Sequence, residues 1–339
     1  MEYLARDTKR KTKNRLKLRG LIVLFFLIFF FSCASGPKVS LPDEVNGITE
    51  GLELYVLPAG GRAYIWIDTV EARPFLDAFS VGGLSDRDMA RILDSTESAV
   101  AAVFPEGHER RFFLAATGSF PLFSANLSLT FNRNWKRQKS PNGSSYWYSQ
   151  NDGIALALGS NLALVSNIDP YTGLTSETPP PGFLEFRQGF ALAGWMPNPS
   201  ESVGNVITSM GVPLQIPAED FFFAASRLAP NTASADFNPS DDNPTDAELW
   251  EPVFKIRTPS VSHARSLLAL FSVARLFVQR GLIGQGAAGG SPFLSPQEAA
   301  TLLFANPPEQ DDDFLIIRMD SLDAAHIALL FQMFSIYSD

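Results

Sequence analysis

At 339 residues, with 45% hydrophobic and 19% charged side chains, the chain can build one large core or two ordinary ones and is not a disordered polymer. One cysteine excludes an internal disulfide and a cysteine-based zinc site, and three histidines leave little for a His-rich metal cage. A net charge of −9 argues against nucleic acid, whose phosphates need a basic surface.

Residues 1–20 carry eight basic side chains, from Arg6 to Arg19, and two acidic ones. The uncharged run Leu21–Phe31 follows, and its 11 residues fall well short of the roughly 20 that a spanning helix needs. A basic stretch, a short apolar stretch and then small residues is the pattern of a secretory signal, so residues 1–32 are expected to be a signal peptide. Without them the chain holds 19 basic and 34 acidic residues, a net of −15.

The single cysteine follows in Phe30-Phe31-Ser32-Cys33-Ala34-Ser35-Gly36. This stretch resembles the lipobox of bacterial lipoproteins, with Ser32 as the small residue before the cysteine. Phe30 and Phe31 depart from the usual Leu and small residue, and such loose boxes look like those of spirochaetal lipoproteins. The resemblance covers residues 1–36 and implies acylation at Cys33. Plain cleavage that leaves a free thiol is the alternative. More than one acyl chain, at about 0.8 kcal/mol per buried methylene, makes a stable anchor. The expected location is the cell envelope, periplasmic or outer-membrane associated. Residues 33–51, with Pro37 and Pro42, read as the lipidated tether.

The first module is expected over residues 52–177. Arg62–Asp68 reads as a strand and Val70–Phe79 as a short helix. Ser85–Asp88 resembles a capping box. Behind it Met89, Ile92, Leu93, Val100, Val103 and Phe104 predict an amphipathic helix of about five turns. Arg111–Ala116 predicts a strand. In Ser124–Phe131 apolar and polar residues alternate strictly, which predicts another strand. The turn signal Pro141-Asn142-Gly143-Ser144 pairs Leu122–Arg137 with Ser145–Gln150 as a hairpin. Ile154–Leu158 and Leu162–Ser166 read as a second hairpin.

Thr178-Pro179-Pro180-Pro181-Gly182 is the strongest linker signal, and residues 183–339 form the second expected module. Arg111–Pro121 and Asp220–Pro230 share five of eleven residues at an offset of 109, and Ile256-Arg257 is echoed by Ile317-Arg318 at an offset of 61. These echoes suggest one α+β unit used more than once. Ser260–Arg280 and Ser321–Tyr337 predict helices apolar round most of their circumference, which are buried on several sides or cover something apolar. The fold class expected is α+β: two related modules, each a mostly antiparallel sheet packed with amphipathic helices.

No phosphate-binding glycine loop, HExxH or GxSxG pattern is present. His108, His263 and His326 stand alone. The acidic loops at 241–246 and 311–313 lack the alternation and central glycine of an EF-hand. No metal or other cofactor is expected. In an otherwise acidic chain, Trp135, Lys136, Arg137, Tyr146, Trp147 and Tyr148 mark a basic and aromatic hairpin that could meet headgroups, glycan or a partner. Phe221, Phe222, Phe223, Phe271, Phe277, Phe331 and Phe334 could line a cavity for acyl chains. The sequence therefore points first to a non-enzymatic, lipid-anchored envelope component that binds an envelope protein. A lipid-binding or lipid-transfer protein comes second, and an envelope hydrolase, without a motif, third.

Overall fold

The computed structural model describes residues 51–78, 93–105, 107–174, 179–180, 182–197, 199, 217–228, 249–280, 296–324 and 326–327. Cys33, Phe331, Phe334 and the acidic loop at 241–246 lie outside them, as does most of the helix expected at Ser321–Tyr337. The chain divides into two compact units, Met1–Pro179 and Pro180–Asp339. It is an α+β protein, and the paired strands within each unit run antiparallel.

In the first unit the strands are β1 (Ala63–Asp68), β2 (Thr96–Val103), β3 (Phe112–Gly118), β4 (Trp135–Lys139), β5 (Ser145–Ser149), β6 (Ile154–Leu158) and β7 (Leu162–Ser166). Their spatial order is β1-β2-β3-β7-β6-β5-β4. Every residue of β6 and β7 is buried, which is why both read as continuous apolar runs. One face is covered by helix α2 (Leu122–Phe131), after the short α1 (Arg73–Ala78). Ala125 and Leu129 of α2 join Trp135, Ile154, Leu156, Ala163 and Val165 in one cluster. On the other face a 3₁₀ turn, Leu52–Leu54, packs on β2 and β3 with its three side chains buried.

Two sequence expectations fail here. Residues 93–95 are helical, but the expected helix ends there, and Thr96–Val103 is a strand with Val100 fully buried between Trp66 and Ala115. The apolar residues at helical spacing also suit the two sides of a strand held by neighbours on both edges. Ser124–Phe131 is a helix rather than a strand. Its polar residues bond backwards along the helix: Ser124 Oγ donates to the Pro121 carbonyl, Asn126 Nδ2 to Leu122 and Thr130 Oγ1 to Asn126. Alternating polarity thus survives in a helix, because the polar side chains are satisfied locally.

In the second unit β8 (Leu192–Pro197), β9 (Asp220–Arg227), β10 (Leu249–Arg257), β11 (Glu309–Asp311) and β12 (Phe314–Arg318) lie in the order β11-β12-β10-β9-β8, and β13 (Leu322–Asp323) also pairs with β10. Its described helices are α3 (Phe183–Phe186), α4 (Val261–Gln279) and α5 (Pro296–Leu303). Ser260 caps α4 by accepting from the His263 amide. Asp312, with φ 56°, turns the chain between β11 and β12, so residues 311–313 serve a tight hairpin.

Candidate functional site

Two surfaces carry side chains that a packed core does not explain. The first is the outer face of α4. Ala264, Leu267, Phe271 and Ala274 bury its inner face, and the Phe271 ring lies 5.4 Å from Phe304. Arg275 ties the helix down by donating through Nε and Nη2 to the Ala305 carbonyl. On the opposite side Leu270, Val273, Leu276 and Phe277 are all more than 40% exposed. They recur at three- and four-residue spacing and form a second apolar stripe. The helix holds no carboxylate, and its 19 residues make it about 28 Å long. It is long and apolar enough to cross a membrane by length and composition. Its inner stripe, however, is already bound to its own unit.

The second surface is the β4–β5 hairpin. Its register sets Trp135 opposite Ser149, Lys136 opposite Tyr148, Arg137 opposite Trp147 and Gln138 opposite Tyr146. Trp135 and Tyr146 are buried, which corrects their expected place in a surface patch. The indole of Trp135 points under α2 into the core, and the Tyr146 hydroxyl donates to Gln138 Oε1 at 2.9 Å. Burial, then the charges of Asp169 and Tyr148, pushes the Tyr146 phenol up. Trp147 and Tyr148 are half-buried, and Lys136 and Arg137 are exposed.

The described Phe residues among those singled out for a ligand cavity do not share one surface. Phe221, Phe222, Phe223 and Phe271 are buried. Phe222 meets Phe186 at 5.6 Å and Phe183 at 6.2 Å, while Phe221 stacks on Phe254 at 5.5 Å. Adjacent strand residues point to opposite faces, so these rings fill two layers. Phe277 faces outward instead. A cleft of about 540 Å³ in the second unit is lined by Glu251, Asn306, Glu309, Arg318 and Asp320 among others, and by none of those phenylalanines. Arg318 Nε lies 3.6 Å from Glu309 Oε2, and Asn306 Nδ2 donates to Asp320 Oδ1 at 2.9 Å. This lining suits polar solutes rather than acyl chains.

The histidines are occupied locally. His108 Nδ1 lies 3.0 Å from the Arg110 carbonyl, His263 Nδ1 2.8 Å from Ser260 Oγ and His326 Nδ1 2.8 Å from Asp323 Oδ1. Among the described residues no group of three or more His, Cys, Asp or Glu could hold a metal ion.

Two features escaped sequence reasoning. Arg110 is buried, donating to Ser166 Oγ at 3.1 Å and to the carbonyls of Asp169 and Thr172. Burial holds its guanidinium down at about 10, partly offset by Asp169. Glu53 is buried too, accepting from Trp66 and Thr117. Both partnerships span distant segments, so no local pattern announces them.

The strands and helices define a class, α+β with antiparallel strand pairing, and solved structures share it. Crystal forms I and III of TP0453, a Treponema protein, match with a TM-score of 0.50 and 14% identity over 83% of this chain and 98% of that one. Form IV matches equally over 82% and 96%. That likeness is one of fold. No protein-family model matches the chain, and no curated protein sequence does.

Proposed function

We propose that this chain is a non-enzymatic, lipid-anchored protein of a bacterial cell envelope, tethered through Cys33, that works at a lipid surface. The single observation behind the lipid surface is the outer stripe of α4, where Leu270, Val273, Leu276 and Phe277 stand in solvent. An amphipathic helix with an apolar outer face partitions into the headgroup–acyl boundary to a depth of about 5–10 Å. The lipobox-like stretch supports the tether, and a fold shared with a Treponema protein agrees with a spirochaetal setting. The two units read as related modules. In support, the echoed segments become β3 and β9, each paired on both edges within its own unit.

The tether is tested by growth with labelled palmitate, which should mark the wild type and not Cys33→Ala. Label retained in the variant would sink the anchor. The helix is tested by placing a photo-crosslinking phenylalanine at position 277 of the full chain in cells, with position 272 as control. A lipid adduct at 277 alone is the expected result. An adduct to another protein would return the partner-binding scaffold to first place, and no adduct would remove α4 as a contact surface.

A further inference from the structure

The seven residues Arg133–Lys139 contain four cations, Arg133, Lys136, Arg137 and Lys139, and no carboxylate. All four are exposed, and none forms an ion pair with a described carboxylate. The chain beyond residue 32 has a net charge of −15, so this concentration runs against its average.

The cations border an exposed apolar edge. Helix α2 holds no charged residue and runs into Arg133 through Phe131 and Asn132. Its inner side is fixed by Ala125 and Leu129, which leaves Leu127 and Phe131, one turn apart, on the outside. Phe131 is 78% exposed, more than any other described large hydrophobic residue. Helix and hairpin are joined here, since Trp147 Nε1 of the hairpin donates to Asn126 Oδ1 of α2 at 2.8 Å. Since β4 ends the strand order of its sheet, cations on its two faces can both reach round the rim.

Charges alone would be explained as protection of a sheet edge against pairing with another chain. Protection does not explain a phenylalanine and a leucine set in solvent beside them. An acidic protein would meet the cations and leave Phe131 wet. An anionic bilayer offers phosphates and, a few ångströms deeper, an apolar phase. We propose that the corner formed by the end of α2 and edge strand β4 docks on an anionic phospholipid surface. Phe131 and Leu127 enter the boundary with the acyl chains, and Arg133, Lys136, Arg137 and Lys139 meet the phosphates. The inference rests on the lipid-surface reading above but uses a different surface in a different unit.

The test is hydrogen exchange on the full chain with vesicles of phosphatidylcholine alone, or of phosphatidylcholine and phosphatidylglycerol in a two-to-one ratio. Amides over 127–139 should exchange more slowly with the anionic vesicles at low salt and lose that protection in high salt. Each cation at an anionic surface is worth about fivefold in partitioning, so Lys136→Gln with Arg137→Gln should weaken docking about 25-fold. Phe131→Ser should weaken it as well. The buried β6–β7 hairpin reports in the same data that each variant is folded. Equal exchange over 127–139 in both vesicle types would overturn the proposal, leaving the cations as edge protection. So would protection unchanged in the double variant. Residues 261–279 are read separately, and protection there in both vesicle types supports the α4 contact. A loss at one surface without the other therefore says which reading has failed.

Discussion

The indole N–H of Trp66 donates to Glu53 Oε1 at 2.9 Å, joining the 3₁₀ turn Leu52–Leu54 to strand β1. The second oxygen accepts from Thr117 Oγ1 at 3.2 Å, and Ser98 Oγ lies 2.7 Å from that hydroxyl. A carboxylate 1% exposed is thus held by donors from β1 and β3. These bonds hold the 3₁₀ turn against β1 and β3.

Glu53→Ala should destabilise the first unit by about 3 kcal/mol, since it removes two buried hydrogen bonds and leaves a void. Glu53→Gln should cost about 1 kcal/mol, because the amide oxygen still accepts from Trp66. Urea unfolding followed by tryptophan fluorescence measures both. Equal losses would show that packing, and not hydrogen bonding, places the turn.

Arg110→Met should cost about 3 kcal/mol and loosen residues 167–174. The guanidinium bridges Ser166 Oγ to two loop carbonyls and lies 5.1 Å from the Phe113 ring centroid. Arg110→Lys should not rescue it, as one ammonium cannot span the acceptors that a planar fork reaches. Hydrogen exchange of 167–174 checks the prediction. Full protection in the lysine variant would contradict it.

The two faces of α4 should respond oppositely. Phe271→Ala should cost about 3–5 kcal/mol, because the ring is fully buried against Phe304. Phe277→Ser should change stability by no more than about 0.5 kcal/mol, because that ring is 45% exposed. Thermal unfolding of the pair decides this. A large loss at 277 would mean that its face is covered.

Burial, reinforced by the Asp169 charge, pushes the Tyr171 phenol up to about 12. With the folded value above the ordinary one of about 10, the contribution is complete below about pH 10 and is lost as the pH rises through about 12. Stability of Tyr171→Phe relative to wild type should therefore improve by on the order of 2–3 kcal/mol across that window. Arg110 shifts in the opposite sense, and the comparison cancels it because both chains keep that residue. A difference that stays flat with pH would refute the prediction.

Much of this architecture was legible along the chain. The β6–β7 hairpin shows as two apolar runs around Gly159-Ser160-Asn161, and the β4–β5 turn as Pro141-Asn142-Gly143-Ser144. Helix α4 shows in its length and apolar content. Elements whose period is ambiguous did not read correctly. Strict alternation over Ser124–Phe131 concealed a helix, because hydroxyl and amide side chains bonded to the helix's own carbonyls. The cations of the candidate contact corner were visible as composition, but its key apolar residue was not.

The sequence by itself determined the local matters: a basic and then apolar stretch, a lone cysteine behind it, where the chain turns, and that the strands carry enough apolar surface to pair. Those depend on neighbours a few residues apart. Only the tertiary structure decided which side of each element is inner. It turned Trp135 into the core and left Phe131 outside, and it buried Phe271 while exposing Phe277 on the same helix. Hydrophobicity states what a side chain gains by leaving water. Which side chains leave is set by distant segments, here β4 beneath α2 and Phe304 beneath α4, that reach one face and not the other.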